Sequence, residues 1–218
     1  SILGYEPASF ESWLSLIYNV AASHGSLAKT LENTVVFVNP VFNPDGRERY
    51  TVWYGSIATG TAEPGAFERS EPSVVHGRTN HYRFDMNRDH VALSQDETRQ
   101  EVAELLRWNP QVYVDQHGQV GTYFFPPNPM STNANVDRNR LNKWTDVFGR
   151  AAAAAFDRQG WLYYVKDAFD FFAPVYTDTW AGLSGAIGMT HETEGSKTLR
   201  LEREDGSVWT MRDSIAKH

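Results

Sequence analysis

Residues 111–118 read QVYVDQHG, and this segment determines which fold class the sequence predicts. Its first five residues form a short run typical of a strand, directly after a helix-like segment that Asn109 and Pro110 end. Strands that follow helices in this way indicate a layered α/β domain, whose ligand site lies at the carboxyl ends of parallel strands. Asp115 and His117 stand at that end of the predicted strand.

Helical and strand-like segments alternate on both sides of this strand. Apolar spacing and capping residues predict three helices: about 7–24 with Gly25 as its C-cap, 94–106 with a capping box of Ser94 and Glu97, and about 135–159 closed by Gly160. Short apolar runs predict strands at 34–38, 161–165 and 186–190, and a turn at Asp205 and Gly206 predicts a hairpin over 198–210. The stretch 43–77 has little periodicity and predicts a long loop.

The composition excludes several classes of protein. The chain has 218 residues without cysteine, so a disulfide scaffold and a cysteine-ligated zinc or iron–sulfur site are excluded. Its 20 Lys and Arg against 27 Asp and Glu leave a formal charge of −7, which argues against nucleic acid as a partner. No apolar run approaches the roughly 18 residues of a membrane span. These figures describe one globular domain with material for a packed core.

Polar and ionisable residues cluster where the predicted strands end. NPDG at 43–46 follows the strand at 34–38, His117 follows 111–115, and Glu192 and Glu194 follow 186–190, while the block RFDMNRDH stands at 83–90. Taken singly, each has an ordinary structural explanation as a turn, a buried histidine, a solvated carboxylate or an ion pair. The prediction of a functional site therefore rests on the whole set, in its order and spacing.

As an ordered set, these residues resemble the zinc carboxypeptidase family, the carboxypeptidase A-like M14 peptidases. The resemblance rests on NPVFNPDG at 39–46, RTN at 78–80, DMNR at 85–88, the Asp115-x-His117 motif and the strand leading to Glu192, and 77–89 and 200–213 are similar to a bacterial branch. It implies a three-layer α/β/α fold with a mixed, largely parallel central sheet, truncated at both ends. It also implies a single partial catalytic domain over 1–218.

The resemblance implies a role for each matching residue. A catalytic zinc with two histidines and a glutamate activates water, a carboxylate takes the proton, and arginines bind the substrate's terminal carboxylate and the oxyanion. The matching positions are Glu6 and His117 for metal, Glu192 for the base with Glu194 as its fallback, Arg78 for the oxyanion, Asn87, Arg88 and Tyr176 for substrate, and Asp85 for orienting the first histidine. One zinc ion per chain is therefore expected.

The first residues depart from the family's His-x-x-Glu metal motif. Residues 1–6 read SILGYE, so Glu6 is in place but Leu3 stands where the first histidine belongs. Leucine has no lone pair, which leaves one ligand fewer than a catalytic zinc requires. The substitution indicates an inactive relative, a ligand supplied by another histidine, or an altered residue in a piece of a longer chain. The replacement candidates are His76, His81, His90 and His191.

Three functional hypotheses follow from the resemblance. The first is a metallocarboxypeptidase that removes C-terminal residues from peptides by metal-activated water. The second is a catalytically impaired module that binds peptide C-termini, and the third is a deacylase of N-acyl amino acids. All three expect peptides or acyl amino acids as partners, without nucleic acid or a membrane span. The resemblance also favours a secreted or periplasmic location, although no signal peptide is visible.

Overall fold

The computed structural model describes residues 3–58, 71–119, 121–128, 131–167, 169–194, 200–203 and 205–218. Its helices are α1 (Pro7–Ala21), α2 (Gly25–Leu31), α3 (Pro44–Ile57), α4 (Asp96–Trp108), α5 (Arg138–Gln159), α6 (Thr177–Leu183) and α7 (Met211–Lys217), with a short 3-10 helix at Met86–Arg88. Its strands are β1 (Val112–Gln119), β2 (Tyr123–Phe124), β3 (Tyr163–Tyr164), β4 (Ile187–Glu194), β5 (Arg200–Glu202) and β6 (Val208–Thr210).

A mixed four-stranded sheet in the order β1-β4-β2-β3 forms the centre of the fold. β1 is parallel to β4, β2 is parallel to β3, and β2 runs antiparallel to β4. Helices α1 and α6 contact β1, while α5, α6 and α7 contact β4. The predicted three-layer α/β/α fold with a mixed, largely parallel sheet is confirmed.

β1 and β4, of eight residues each, pair along their whole length and are the longest strands in the described part of the chain. Both are buried along much of their length, as expected for parallel strands covered on both faces. An apolar cluster of Val136, Leu141, Ile187 and Met189 packs α5 against β4. At Gly188 the backbone of β4 approaches α6 so closely that a side chain would not fit. The sheet therefore holds the residues near the carboxyl ends of β1 and β4 in fixed positions.

Two predicted segments differ from the structure. The run 34–38 was predicted to be a buried strand, but it forms no strand; Val35 is 71% exposed and Phe37 packs on Trp108, with ring centroids 4.3 Å apart. A β-branched run becomes a strand only where a neighbouring strand pairs with it. The predicted loop 43–77 contains α3, which begins where the Asn43 side chain accepts a hydrogen bond from Gly46 N at 2.8 Å.

Helix ends were predicted with mixed success. Gly160 is the left-handed C-cap of α5, as predicted, and the hairpin of β5 and β6 is confirmed, although 198, 199 and 204 lie outside the described residues. The predicted N-cap at Ser94 is wrong: α4 begins at Asp96, and the Ser94 and Gln95 amides donate to Asp89. Gly25 begins α2 rather than ending α1. No helix in the described part of the chain is long and apolar enough to cross a membrane.

Gly188→Ala is expected to destabilise the fold by about 1–3 kcal/mol, because its Cβ would lie 2.1 Å from the backbone oxygen of Asp178. Gly55→Ala in α3 is the matched control, since its Cβ meets no atom within 4 Å and alanine favours a helix by up to about 1 kcal/mol. Urea unfolding of both variants measures the difference. Equal stabilities would contradict the close approach of β4 to α6.

Candidate active-site cleft

His117 is held between two carboxylates near the carboxyl end of β1. Its Nε2 lies 2.5 Å from Asp115 Oδ2, and its Nδ1 lies 3.1 Å from Glu6 Oε2. Asp115 precedes His117 by two residues, so both side chains project from the same face of β1. Burial alone would lower the pKa of His117, but the charges of Asp115 and Glu6 raise it well above its usual value. The two ring nitrogens of His117 therefore each face a carboxylate oxygen.

Glu6 reaches His117 because the chain turns sharply before α1. The Glu6 amide donates to Leu3 O at 3.1 Å, and Pro7 occupies the first helical position, where its missing N–H leaves no bond unmade. Leu3 itself is 3% exposed and belongs to an apolar cluster. The other members of that cluster are Tyr5, Phe42, Tyr50 and Met86.

The residues present do not fit a catalytic zinc ion. Such a site needs three protein ligands, and this cleft offers only Glu6 and His117 among the family positions. Leu3 contributes packing at the third position instead. Across the described residues, no three His, Asp or Glu side chains form a group that could hold a metal.

None of the four alternative histidines completes the set. His90 is buried between Thr177 Oγ1 at 3.4 Å and Glu101 Oε2 at 3.3 Å. His76 and His81 are exposed, and His191 precedes Glu192 by one residue, so it faces the opposite side of β4. The predicted replacement of the missing ligand by another histidine therefore finds no support.

Glu192 lies on β4 directly beside His117, its register partner on β1. Its Oε2 is buried without a hydrogen-bond partner among the described residues. Burial raises the pKa of Glu192 to about 8; His117 acts in the opposite direction, and the charges of Glu6 and Asp115 add to the rise. Glu194, the fallback base, instead bonds Lys217 Nζ at 2.5 Å and also Arg203, so it holds α7 against the sheet.

Arg78 and Asp85 bond to each other. Arg78 Nε donates to Asp85 Oδ2 at 2.6 Å, and Arg78 Nη1 donates to Tyr5 Oη at 3.0 Å. Asp85 also accepts from the Asn87 amide at 3.0 Å and so begins the short 3-10 helix. The family resemblance implies that Asp85 orients the first histidine ligand. In this structure Asp85 instead accepts a hydrogen bond from Arg78. Arg78 is thus held by Asp85 and Tyr5, and its role toward an oxyanion stays a prediction.

Asn87, Arg88 and Tyr176 lie together, as the family resemblance implied. Asn87 Oδ1 accepts from Thr177 N at 3.0 Å, and Asn87 Nδ2 lies 3.3 Å from His117 Nε2. The guanidinium of Arg88 lies 4.4 Å from the centre of the Tyr176 ring, and the exposed Arg88 has no carboxylate partner in the described part of the chain. We call Asn87, Arg88 and Tyr176 the clamp. It presents a guanidinium beside the buried cleft.

Sequence reasoning missed two acidic residues of the cleft. Asp115 was seen in its motif but given no role, although its spacing from His117 on a strand could have shown that the two share a face. Asp178 gave no signal, because only the packing of α6 brings it to Thr190 of β4, whose Oγ1 donates to it at 2.6 Å. Burial raises the pKa of Asp178 to about 6, against the effect of the Thr190 hydrogen bond, and the Asp115 charge contributes.

The fold and this cleft define a carboxypeptidase-like α/β protein, and comparison with known proteins identifies the family. The zinc carboxypeptidase family matches residues 2–187, so the chain belongs to it. The chain is similar to probable carboxypeptidase 2 of Arthroderma benhamiae, with 36% identity, and to carboxypeptidase 2 of Trichophyton tonsurans, with 35% identity, each over 115 residues. Each match covers 52% of this chain and 17% or 16% of the relative.

A solved structure shares the fold. The metallo-carboxypeptidase from Burkholderia cenocepacia superposes on all of this chain with a TM-score of 0.67 at 17% identity, and this chain covers 52% of it. The chain therefore spans about half of that structure and a much smaller part of the fungal relatives. Their activities reach this chain only as proposals.

Asp178→Asn is expected to stabilise the protein progressively relative to wild type as the pH rises. The pKa of Asp178 is about 6 in the folded state and 3.8 ordinarily, so between these pH values the folded protein holds a proton that the unfolded chain has lost. The free energy of unfolding of the wild type therefore falls as the pH rises through this window. The difference between variant and wild type should change by about 3 kcal/mol between pH 3 and pH 7. Urea unfolding at several pH values measures it; a pH-independent difference would contradict the raised pKa.

Proposed function

We propose that this chain recognises the free C-terminal carboxylate of peptides through the clamp, and that its own residues do not complete the zinc centre that hydrolysis requires. The single observation that carries the proposal is Leu3, which stands in the sequence where the family has its first histidine ligand and packs in an apolar cluster. Family membership supports a carboxypeptidase-type cleft. The chemistry of the donors supports binding over catalysis.

The geometry of the clamp supports recognition of a carboxylate. Arginine offers donors in a planar fork that matches two carboxylate oxygens, and Arg88 spends one donor on the carbonyl of Asn87 at 2.6 Å. The Tyr176 ring holds the guanidinium from one side, and Tyr176 Oη donates to Asp170 Oδ2 at 2.8 Å, which fixes the ring. Asn87 is fixed in turn by Thr177. The clamp is therefore pre-organised, which reduces the entropy lost on binding.

Hydrolysis is the second candidate, and Glu192 favours it. A carboxyl whose pKa is about 8, buried beside His117, is poised to exchange a proton near neutral pH. Release of a C-terminal amino acid by the wild-type chain, abolished by Glu192→Gln, would establish hydrolysis and overturn the binding-only proposal. The amide keeps the shape of the side chain and removes its proton exchange.

Arg88→Ala is expected to weaken binding of dansyl-Ala-Ala-Phe by at least about tenfold, because it removes a charge-assisted hydrogen-bond pair. Fluorescence titration measures the affinity. The C-terminal amide of the same peptide should bind weakly and equally to wild type and variant. Arg99→Ala is the matched control, since Arg99 is exposed on α4 and pairs with Asp96. Equal binding of acid and amide by wild type would contradict the proposed carboxylate recognition.

Zinc content tests the incomplete metal centre. Wild-type protein dialysed against micromolar zinc should retain well under one ion per chain. Removing a residue that merely hydrogen-bonds a metal ligand lowers metal affinity by about 10- to 100-fold, and removing a ligand lowers it further. Leu3→His should retain more zinc, measured by mass spectrometry of the metal, whereas Leu3→Met, which preserves apolar volume, should not. A full equivalent of tightly held zinc in wild type would contradict the account.

A further inference from the structure

We propose that a cavity at the beginning of α5 binds a small, doubly charged oxyanion. The cavity has a volume of about 460 Å³, and its described lining comes from the first turns of α5, from Asn128 and Thr132, and from Lys166. This volume falls within the range of small-molecule binding sites. Neither the family match nor the clamp accounts for it.

The charge of the cavity wall favours an anion. Arg138, Lys143 and Lys166 line it, and the one acidic residue among its lining residues is Asp146. Asp146 Oδ2 accepts from Arg150 Nε at 2.7 Å, so its charge is offset by a fourth cation. The whole chain carries a formal charge of −7, which makes this local excess of positive charge a departure from the rest of the surface.

Within the described ranges, Arg138, Lys143 and Lys166 form no ion pair with a carboxylate. The ammonium of Lys143 lies 5.3 Å from the centre of the Trp144 ring, and Lys166 makes no ion pair there. Arg138 spends one donor, Nη2, on Thr132 O at 3.2 Å. An arginine fork and two lysines suit the several oxygens of a phosphate or of paired carboxylates. The exposed amide of Asn142 also lines the cavity and faces the uncharged part of the ligand.

The wall that carries Lys166 is held in place by its backbone. Lys166 has a φ of +62°, in the left-handed region that a residue with a side chain adopts at a cost of about 1–2 kcal/mol. Its amide donates to Pro127 O at 3.1 Å, which ties it to the opposite side of the cavity. The surrounding structure thus keeps the lysine facing this segment despite the strain.

The described residues that line the cavity do not include any residue of the clamp. Asn128 Nδ2 contacts the carbonyl of Gly188 near the amino end of β4, and Glu192 lies four residues further along the same strand, about 13 Å away. The inference therefore stands independently of the proposed peptide recognition, and Arg88→Ala should leave binding in the cavity unchanged.

Isothermal titration of the whole chain with inorganic phosphate, glucose 6-phosphate and citrate tests the proposal. Saturable binding of at least one probe is expected, with glucose 6-phosphate favoured if the ligand is a phosphate ester and citrate favoured if it is a polycarboxylate. The double variant Lys143→Gln/Lys166→Gln should bind at least about tenfold more weakly, because two charge-assisted contacts are lost. Lys29→Gln, which removes one exposed charge from α2, should bind like wild type.

Two results would overturn the proposal. One is the absence of saturable binding for all three probes. The other is binding that disappears in Arg88→Ala and persists in the double lysine variant, which would assign the probes to the clamp. Thermal unfolding without added probe confirms that the double variant is folded, and the single variants Lys143→Gln and Lys166→Gln replace it if it is not.

Discussion

Parallel pairing of β1 with β4 is the constraint on which the cleft depends. The register that sets His117 beside Glu192 also sets Asp115 beside Thr190, and Thr190 in turn holds Asp178 of α6. Three elements, β1, β4 and α6, thus bring four ionisable groups to one buried region: Asp115, His117, Glu192 and Asp178. Burial raises the pKa values of Glu192 and Asp178, the charge of Asp115 adds to both rises, and the imidazole of His117 opposes them. A one-residue slip of β1 would turn Asp115 and His117 to the other face of the sheet, and a slip of β4 would do the same to Thr190 and Glu192.

The cleft combines the clamp with a metal motif that departs from the family's. Asn87 and Arg88 lie next to Tyr176, whose ring packs on the guanidinium. At the metal position, Leu3 stands in the sequence in place of the first histidine, Glu6 Oε2 lies 3.1 Å from His117 Nδ1, and Arg78 pairs with Asp85. Burying such charges is costly unless each is paired, so these bonds stabilise a cleft that would otherwise hold unpaired charges.

Much of this arrangement could be predicted from the sequence, because the strands and the motifs at their ends are local signals. The fold class, the strand around 111–115 and the hairpin of β5 and β6 are of this kind. The exposed run 34–38 could not be predicted, since burial depends on a partner strand rather than on its own apolar residues. The Arg78 ion pair and the role of Asp178 depend on tertiary packing, which leaves no mark in local spacing.

The most direct test of the account is the state of the His117 ring nitrogens, observed by long-range ¹H–¹⁵N NMR before and after addition of equimolar zinc. Protons on both nitrogens, unchanged by zinc, are predicted, because Asp115 and Glu6 each accept one of them. His117→Asn assigns the signal. Loss of the Nδ1 proton on addition of zinc, with the ¹⁵N shift of a metal-bound imidazole, would contradict the proposal that this cleft does not complete a zinc centre.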